Sequence, residues 1–178
     1  MITIKGSPAL SEFRIEKLVA TVKAYGVRKI SSYYVHLIET SDELSEQELS
    51  VLNNLLEYGP QMHDVQLDGQ SLFVMPRVGT ISPWSSKATD IVHNCGLDGV
   101  VRVERGIVYT LGLEAGATLS DAQLDTIMPL LHDRMTESVL FDIDDTDDLF
   151  CHAEPAPFET VDVTGGGRAA LETANREL

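Results

Sequence analysis

The sequence is poor in positive charge, in cysteine and in long apolar runs. Its 13 Lys and Arg residues stand against 28 Asp and Glu, a formal net charge of −15, which argues against a nucleic-acid partner. No run approaches the ~18 apolar residues that cross a bilayer, and the first ten residues lack a signal peptide's apolar core, so we expect a cytoplasmic protein with no membrane partner. Cys95 and Cys151 are too few for a disulfide scaffold or a thiolate zinc site, and we expect reduced, partly buried thiols.

The residues that are present have the composition of a globular protein. Of the 178 residues, 43% are hydrophobic and 23% are charged, which excludes wholesale disorder. This length accommodates one domain of about 100 to 150 residues and an appendage.

The first 58 residues predict a strand, a helix, a strand and a second helix. The strands are 2–4 and 30–38, rich in Ile, Val and Tyr. The first helix is expected to begin at Ser7-Pro8, a capping hydroxyl before proline, and the second at the capping box 45–48.

Residues 72–141 predict a strand, a helix, two strands, a helix and a strand. The middle strands, 100–104 and 107–113, are expected to form a hairpin across Arg105-Gly106. Helices begin at Ser82-Pro83 and at the capping box 120–123. This order is typical of a ferredoxin-like α+β unit.

The two halves have similar orders of elements, which indicates an internal duplication. The expected fold is therefore α+β, with duplicated ferredoxin-like units whose antiparallel sheets carry helices on one face. This domain takes residues 1–141. Residues 142–178 form an acidic connector with a strand at 161–163, a triple glycine and a helix without a stop signal, as if the polypeptide continued into a linker.

Residues 77–90 are the main candidate site, because they place hydroxyls, a cation and free amides at a helix N-terminus, where anions are favoured. The competing interpretation is structural, with Ser82 as cap, Trp84 in the core and the rest solvated. A second candidate is His132-Asp133-Arg134, although adjacent side chains usually point to different faces. No histidine or cysteine pair has metal-ligand spacing, and no catalytic set is apparent.

The chain also resembles a known family, the large single-chain phosphoribosylformylglycinamidine synthases, in their N-terminal region. Val78 stands where the family pattern would have proline. The words that carry the resemblance are KGSPALS (5–11), YGP (58–60), GTISPWSSKATD (79–90), HNCGL (93–97), ERG (104–106) and LHDRMTE (131–137).

The resemblance implies an ATP- and Mg-dependent ligase of purine biosynthesis, which makes formylglycinamidine ribonucleotide with ammonia from glutamine. Both catalytic centres would lie downstream, so this part would hold no catalytic residue, metal or cofactor. It would mimic a dimer of the small separate subunit and have the synthetase and glutaminase domains of its parent chain as partners. Its role would be to dock on the synthetase domain and to shape the substrate site and ammonia path.

The residues expected to face a partner or substrate belong to the two candidate segments. They are Arg77, Thr80, Ser82, Trp84, Ser85, Ser86, Lys87, His132 and Arg134. A function of another class stays open, a free-standing ferredoxin-like module that binds a small regulatory molecule.

Overall fold

The computed structural model describes residues 1–60, 67–114, 117–151, 157–158 and 160–177. The strands within these ranges are β1 (Ile2–Pro8), β2 (Val27–Thr40), β3 (Gln70–Pro76), β4 (Val100–Leu113) and β5 (Glu137–Leu140). The α-helices are α1 (Glu12–Val22), α2 (Glu46–Leu56), α3 (Pro83–Asn94), α4 (Asp121–Leu131) and α5 (Val163–Glu177). A 3-10 turn, Lys23–Tyr25, follows α1, and a longer 3-10 helix, Asp144–Phe150, follows β5.

The five strands form one antiparallel sheet in the order β1-β2-β4-β3-β5. Its centre is the pair β2 and β4, each of 14 residues, which face each other along nearly their whole length. The predicted α+β class is confirmed, and the architecture is compatible with a ferredoxin-like fold, but the strands form one sheet where we expected separate sheets for two units.

One face of the sheet carries the helices α1 to α4, as predicted. Alternate residues of neighbouring strands point to this face. At one end Ile30, Leu72 and Tyr109 pack with α1 and α4. At the other end Ile38 and Val103, which are paired across β2 and β4, pack with α2 and α3.

The opposite face is covered in part by the 3-10 helix. Its Leu149 is buried against Val35, Leu37, Met75 and Val108, which come from the three central strands. The segment after β5 therefore packs on the sheet, while the proposed division of the chain after residue 141 stays a prediction.

The predicted hairpin within 100–113 is wrong, because these residues form one continuous strand. Arg105-Gly106 resembles a turn signal, but the Arg105 guanidinium lies over the rings of Tyr34 and Trp84. Gly106 is required for close packing, since a Cβ there would overlap the sulfur of Met75. Tertiary contacts therefore keep the chain extended through these two residues.

Three further expectations need correction. Ser7-Pro8 ends β1 instead of opening a helix, which is possible because an edge strand tolerates a proline without a ladder N–H, and α1 is preceded by Ser11. The predicted strand at 161–163 is absent, since Val163 begins α5. Both cysteines are exposed; Cys95 lies at the solvent-facing C-terminus of α3.

None of the helices in the described part of the chain combines the length and the apolar character needed to cross a membrane.

Candidate functional site

We call residues 77–87 the docking segment, after the role that the sequence predicts for them. The segment lies beside the half of β4 that has no neighbour from β3. The last residue of β3 paired with β4 is Val74, opposite Ile107, so β4 continues towards Val100 without a strand on that side. The docking segment runs here and leads into α3. Its position thus follows from the unequal lengths of β3 and β4.

A buried ion pair on β4 holds the docking segment. Glu104 is fully buried and Arg102 is 7% exposed, and their side chains meet at 2.5 Å. Glu104 accepts hydrogen bonds from the Ser82 amide at 3.1 Å and the Ser82 hydroxyl at 2.8 Å. Arg102 donates to the Thr80 carbonyl at 2.7 Å. Each member of the pair therefore fixes a different residue of the segment.

The turn before α3 is closed by its own hydrogen bonds. The amide and the hydroxyl of Thr80 both donate to the Arg77 carbonyl, at 3.1 and 2.6 Å. Gly79 has a φ of +77°, a conformation that glycine adopts without strain. The segment is thus a defined turn whose outer side chains project from a fixed backbone.

The serines of the segment differ in what they can do. Ser82 caps α3 by accepting from the Ser85 amide at 3.0 Å, as predicted. Ser85 is fully buried, and its hydroxyl has no partner among the described residues. Ser86 and Lys87 are exposed, as are Arg77 and Thr80. The exposed side chains are the ones that can meet a partner; Ser82 and Ser85 serve the fold.

Trp84 joins the segment to an aromatic and polar cluster under α3. Its ring lies 5.6 Å from that of His36 and 4.6 Å from the Arg105 guanidinium, measured from the ring centroid. Tyr58 completes the cluster, with its hydroxyl 2.7 Å from His36 Nε2 and 3.1 Å from Arg105 Nη1, which donates to it. Trp84 is therefore a packing anchor, and its neighbours come from β2, β4 and the end of α2.

His36 is neutral in this cluster. Burial, followed by the positive charge of Arg105, lowers the pKa of His36 from 6.5 to about 4, against a smaller raising effect of the Ile4 backbone. The ring is so close to β1 that a Cβ on Gly6 would lie 2.6 Å from His36 Cε1. The geometry stabilises an uncharged imidazole that packs and accepts or donates one hydrogen bond.

Two cavities adjoin Tyr58. One, of about 250 Å³, is an apolar groove between α2 and α3 with Leu55, Trp84, Lys87 and Ile91 among its walls. The other, of about 490 Å³, lies between β1 and the end of α2. Leu56 and Tyr58 line both cavities, which are therefore neighbours at the end of α2.

The residues directly after the second candidate segment contact the first. His132 Nδ1 lies 2.6 Å from the Met128 carbonyl at the end of α4. The Arg77 amide and guanidinium donate to the carbonyls of Thr136 and Met135, at 3.1 and 3.4 Å. The structure thus brings Arg77 to the turn that carries the exposed Arg134.

No acid–base pair is evident at this turn. Asp133 accepts a hydrogen bond from the Met135 amide at 2.8 Å, and His132 is directed to its own helix. Both side chains therefore stabilise local structure.

Sequence reasoning missed the supporting residues Arg102, Glu104, His36 and Arg105 as parts of a site. The signal that could have indicated them is the presence of charged residues and a histidine within apolar strands. Such groups are rarely buried without partners. Their partners are distant in sequence, so their roles become visible only in the fold.

Comparison with known protein families adds one finding. Residues 33–150 match the family described as formylglycinamide ribonucleotide amidotransferase N-terminal. The matched stretch is about two thirds of the 178 residues and includes the docking segment, the ion pair and the 3-10 helix.

Proposed function

Because the chain belongs to the family of formylglycinamide ribonucleotide amidotransferase N-terminal domains, we propose that it serves as the non-catalytic N-terminal domain of that ligase. It is part of an amidotransferase of purine biosynthesis. The proposed reaction of the whole enzyme converts formylglycinamide ribonucleotide, glutamine and ATP to formylglycinamidine ribonucleotide.

Chemistry in this proposal belongs to the synthetase and glutaminase domains. Among the described residues, no group of three or more His, Cys, Asp or Glu side chains is arranged to hold a metal ion. Cys95 lies exposed at the C-terminal end of α3. The proposal places the binding sites for ATP and Mg²⁺ in the parent enzyme, outside this chain.

The role that we assign to this chain is docking on the synthetase domain, which shapes the substrate site and the ammonia path. The observation that carries it is the buried Arg102–Glu104 pair, which holds Thr80 and Ser82 while the polar side chains around them stay exposed. A rigid backbone lowers the entropy lost on association, so a preformed surface binds better than a loose loop. Ser86 and Lys87, at the start of α3, are the donors we expect to contact the partner.

The proposal includes the resemblance to a dimer of the small separate subunit. Two successive β-α-β-α stretches, β1 to α2 and β3 to α4, meet through their long strands β2 and β4. The second helix of each stretch begins with a capping box, at Ser45 and Ser120. Each of the two core clusters on the helix-bearing face also combines the first helix of one stretch with the second helix of the other. These features support the proposal that the domain arose by fusion of two subunits, which would be related by a pseudo-twofold axis.

Replacement of Ser86 and Lys87 by alanine in the complete parent enzyme tests the docking role. We expect the glutamine-dependent kcat/KM for formylglycinamide ribonucleotide to fall about tenfold, equivalent to ~1.4 kcal/mol. The control is Ser50→Ala with Lys17→Ala, which removes the same two groups from exposed positions on α2 and α1. Unchanged kinetics in the first variant would exclude these contacts.

The alternative, a free-standing regulatory module, draws support from the 490 Å³ cavity, which is of the size that small molecules occupy. The intact mass of the natural protein separates the two functions. A mass near 19.5 kDa favours the module, and a much larger mass favours the ligase.

A further inference from the structure

The Arg102 side chain connects two segments that are far apart in the chain. Its Nη2 donates to the Thr80 carbonyl in the docking segment and to Glu104, which in turn holds Ser82. Its Nη1 reaches the Leu149 carbonyl at 3.5 Å. One buried guanidinium therefore links the docking segment to the 3-10 helix on the opposite face of the sheet.

The 3-10 helix also encloses this guanidinium. The Phe150 ring lies 5.2 Å from Arg102 Cζ, and Leu149 is 1% exposed against the sheet. Arg102 Nε is buried and has no hydrogen-bond partner among the described residues. If the 3-10 helix left the sheet, water would reach this nitrogen and the rest of the guanidinium. The bonds to Thr80 and Glu104 would then compete with water and weaken.

We propose that the 3-10 helix acts as a clasp on the docking segment, with Arg102 as the positioning residue between them. Displacement of the 3-10 helix from the sheet would open the clasp and loosen the turn at Thr80. Coupling of this kind is reciprocal, so a disturbance of the turn would also loosen the clasp. The inference concerns the segment to which the proposed function assigns docking, but it stands on contacts within this chain.

The molecule contains an internal reference for this coupling. The start of α4 has a capping box in which Ser120 and Gln123 satisfy each other. Within the described part of the chain, no hydrogen bond or ion pair links this box to Arg102 or to the 3-10 helix. Opening the clasp should therefore leave the start of α4 unchanged, whereas global destabilisation would affect both helix starts.

Amide hydrogen exchange of the whole 178-residue chain tests the clasp, with Phe150→Ala and Leu149→Asp as the opening variants. Loosening is read first at the Thr146 amide, which donates to the Ile143 carbonyl within the 3-10 helix. We expect the amides of Thr80 and Ser82 to exchange about 5-fold faster or more, the lower end of typical coupling between sites.

Two control variants keep the result specific. Phe158→Ala removes a ring that is 97% exposed in the same connector and should change nothing. Phe150→Tyr keeps the aromatic face over Arg102 and should leave the exchange rate of the Thr80 amide close to that of the unaltered chain.

The coupling is tested in the reverse direction by Gly79→Ala. This substitution strains the turn at φ +77° and should accelerate exchange of the Thr146 amide.

Three results would overturn the proposal. In the first, Leu149→Asp frees Thr146 while Thr80 and Ser82 exchange at the original rate. In the second, the Thr146 amide of the Leu149→Asp variant stays protected from hydrogen exchange. In the third, the start of α4 accelerates as much as the docking segment. The test does not involve the ligase, so a failure of the docking proposal would leave its outcome unaffected.

Discussion

Glu104→Ala should be among the most damaging single substitutions in the chain. The Glu104 carboxylate is fully buried and accepts three hydrogen bonds, two from Ser82 and one from Arg102. Alanine would leave the Arg102 charge buried without its counter-ion and the Ser82 amide without its acceptor. The free energy of unfolding should fall by about 3–5 kcal/mol, the usual result of removing one member of a buried pair.

Urea denaturation at pH 7, followed by circular dichroism, measures this loss. Since small domains are stable by only about 5–15 kcal/mol, Glu104→Gln provides a milder variant that keeps the shape of the side chain. We expect Glu104→Gln to lower the free energy of unfolding by about 1–3 kcal/mol. Its amide NH₂ replaces one of the two carboxylate oxygens that accept hydrogen bonds from Ser82 and Arg102. The double variant Arg102→Met with Glu104→Leu should lose less than the sum of the single losses, because no unpaired charge is left buried.

The control is the exposed ion pair between Arg28 and Glu114, whose side chains are 48% and 63% exposed. Glu114→Ala should cost at most ~1 kcal/mol, because water screens exposed pairs. If Glu104→Ala and Glu114→Ala were equally mild, the buried pair would not hold the docking segment, and the reasoning about this site would be wrong.

Three further predictions concern the cluster under α3 and the helix caps. Gly6→Ala should lower the free energy of unfolding by about 1–3 kcal/mol in urea denaturation, because its Cβ would lie 2.6 Å from His36 Cε1; no loss would contradict that packing. The folded-state pKa of His36, about 4, lies below its ordinary 6.5, so the unfolded state binds the proton first. The contribution of His36 to the free energy of unfolding is complete above pH 6.5 and is lost towards pH 4 by up to ~1.4 kcal/mol per pH unit. His36→Gln should lack this part of the pH dependence. Identical plots of unfolding free energy against pH for the two proteins would refute the prediction. Ser45→Ala should cost ~1 kcal/mol because it removes the cap of α2, whereas Ser50→Ala within the same helix should cost less than half of that in the same assay.

Much of the element order could be predicted from local signals. The capping boxes at Ser45 and Ser120 and the Ser82-Pro83 start of α3 are present as predicted. Such signals work because capping depends on residues within one helical turn. The family was also recognisable from short sequence motifs, because the motifs keep the same residue types in the same order along the chain.

Local signals failed where distant neighbours decide the backbone. Arg105-Gly106 would suit a turn in isolation, but aromatic rings from β2 and α3 stack on Arg105, and Met75 occupies the space beside Gly106. Ser7-Pro8 would suit a helix start, but β2 pairs with β1 as far as Pro8. In both places a long-range contact outweighs a preference of about 1 kcal/mol.

The sequence by itself determined the α+β class, the order of most helices and strands, the net negative charge and the family. The tertiary structure alone decided which polar groups meet. Ser82 and Glu104 are 22 positions apart, and Arg102 and Leu149 are 47 apart, so no local pattern relates them. They are neighbours because β4 continues beyond the end of β3 and because a buried charge requires a partner, which the folded chain supplies from whichever segment passes nearby.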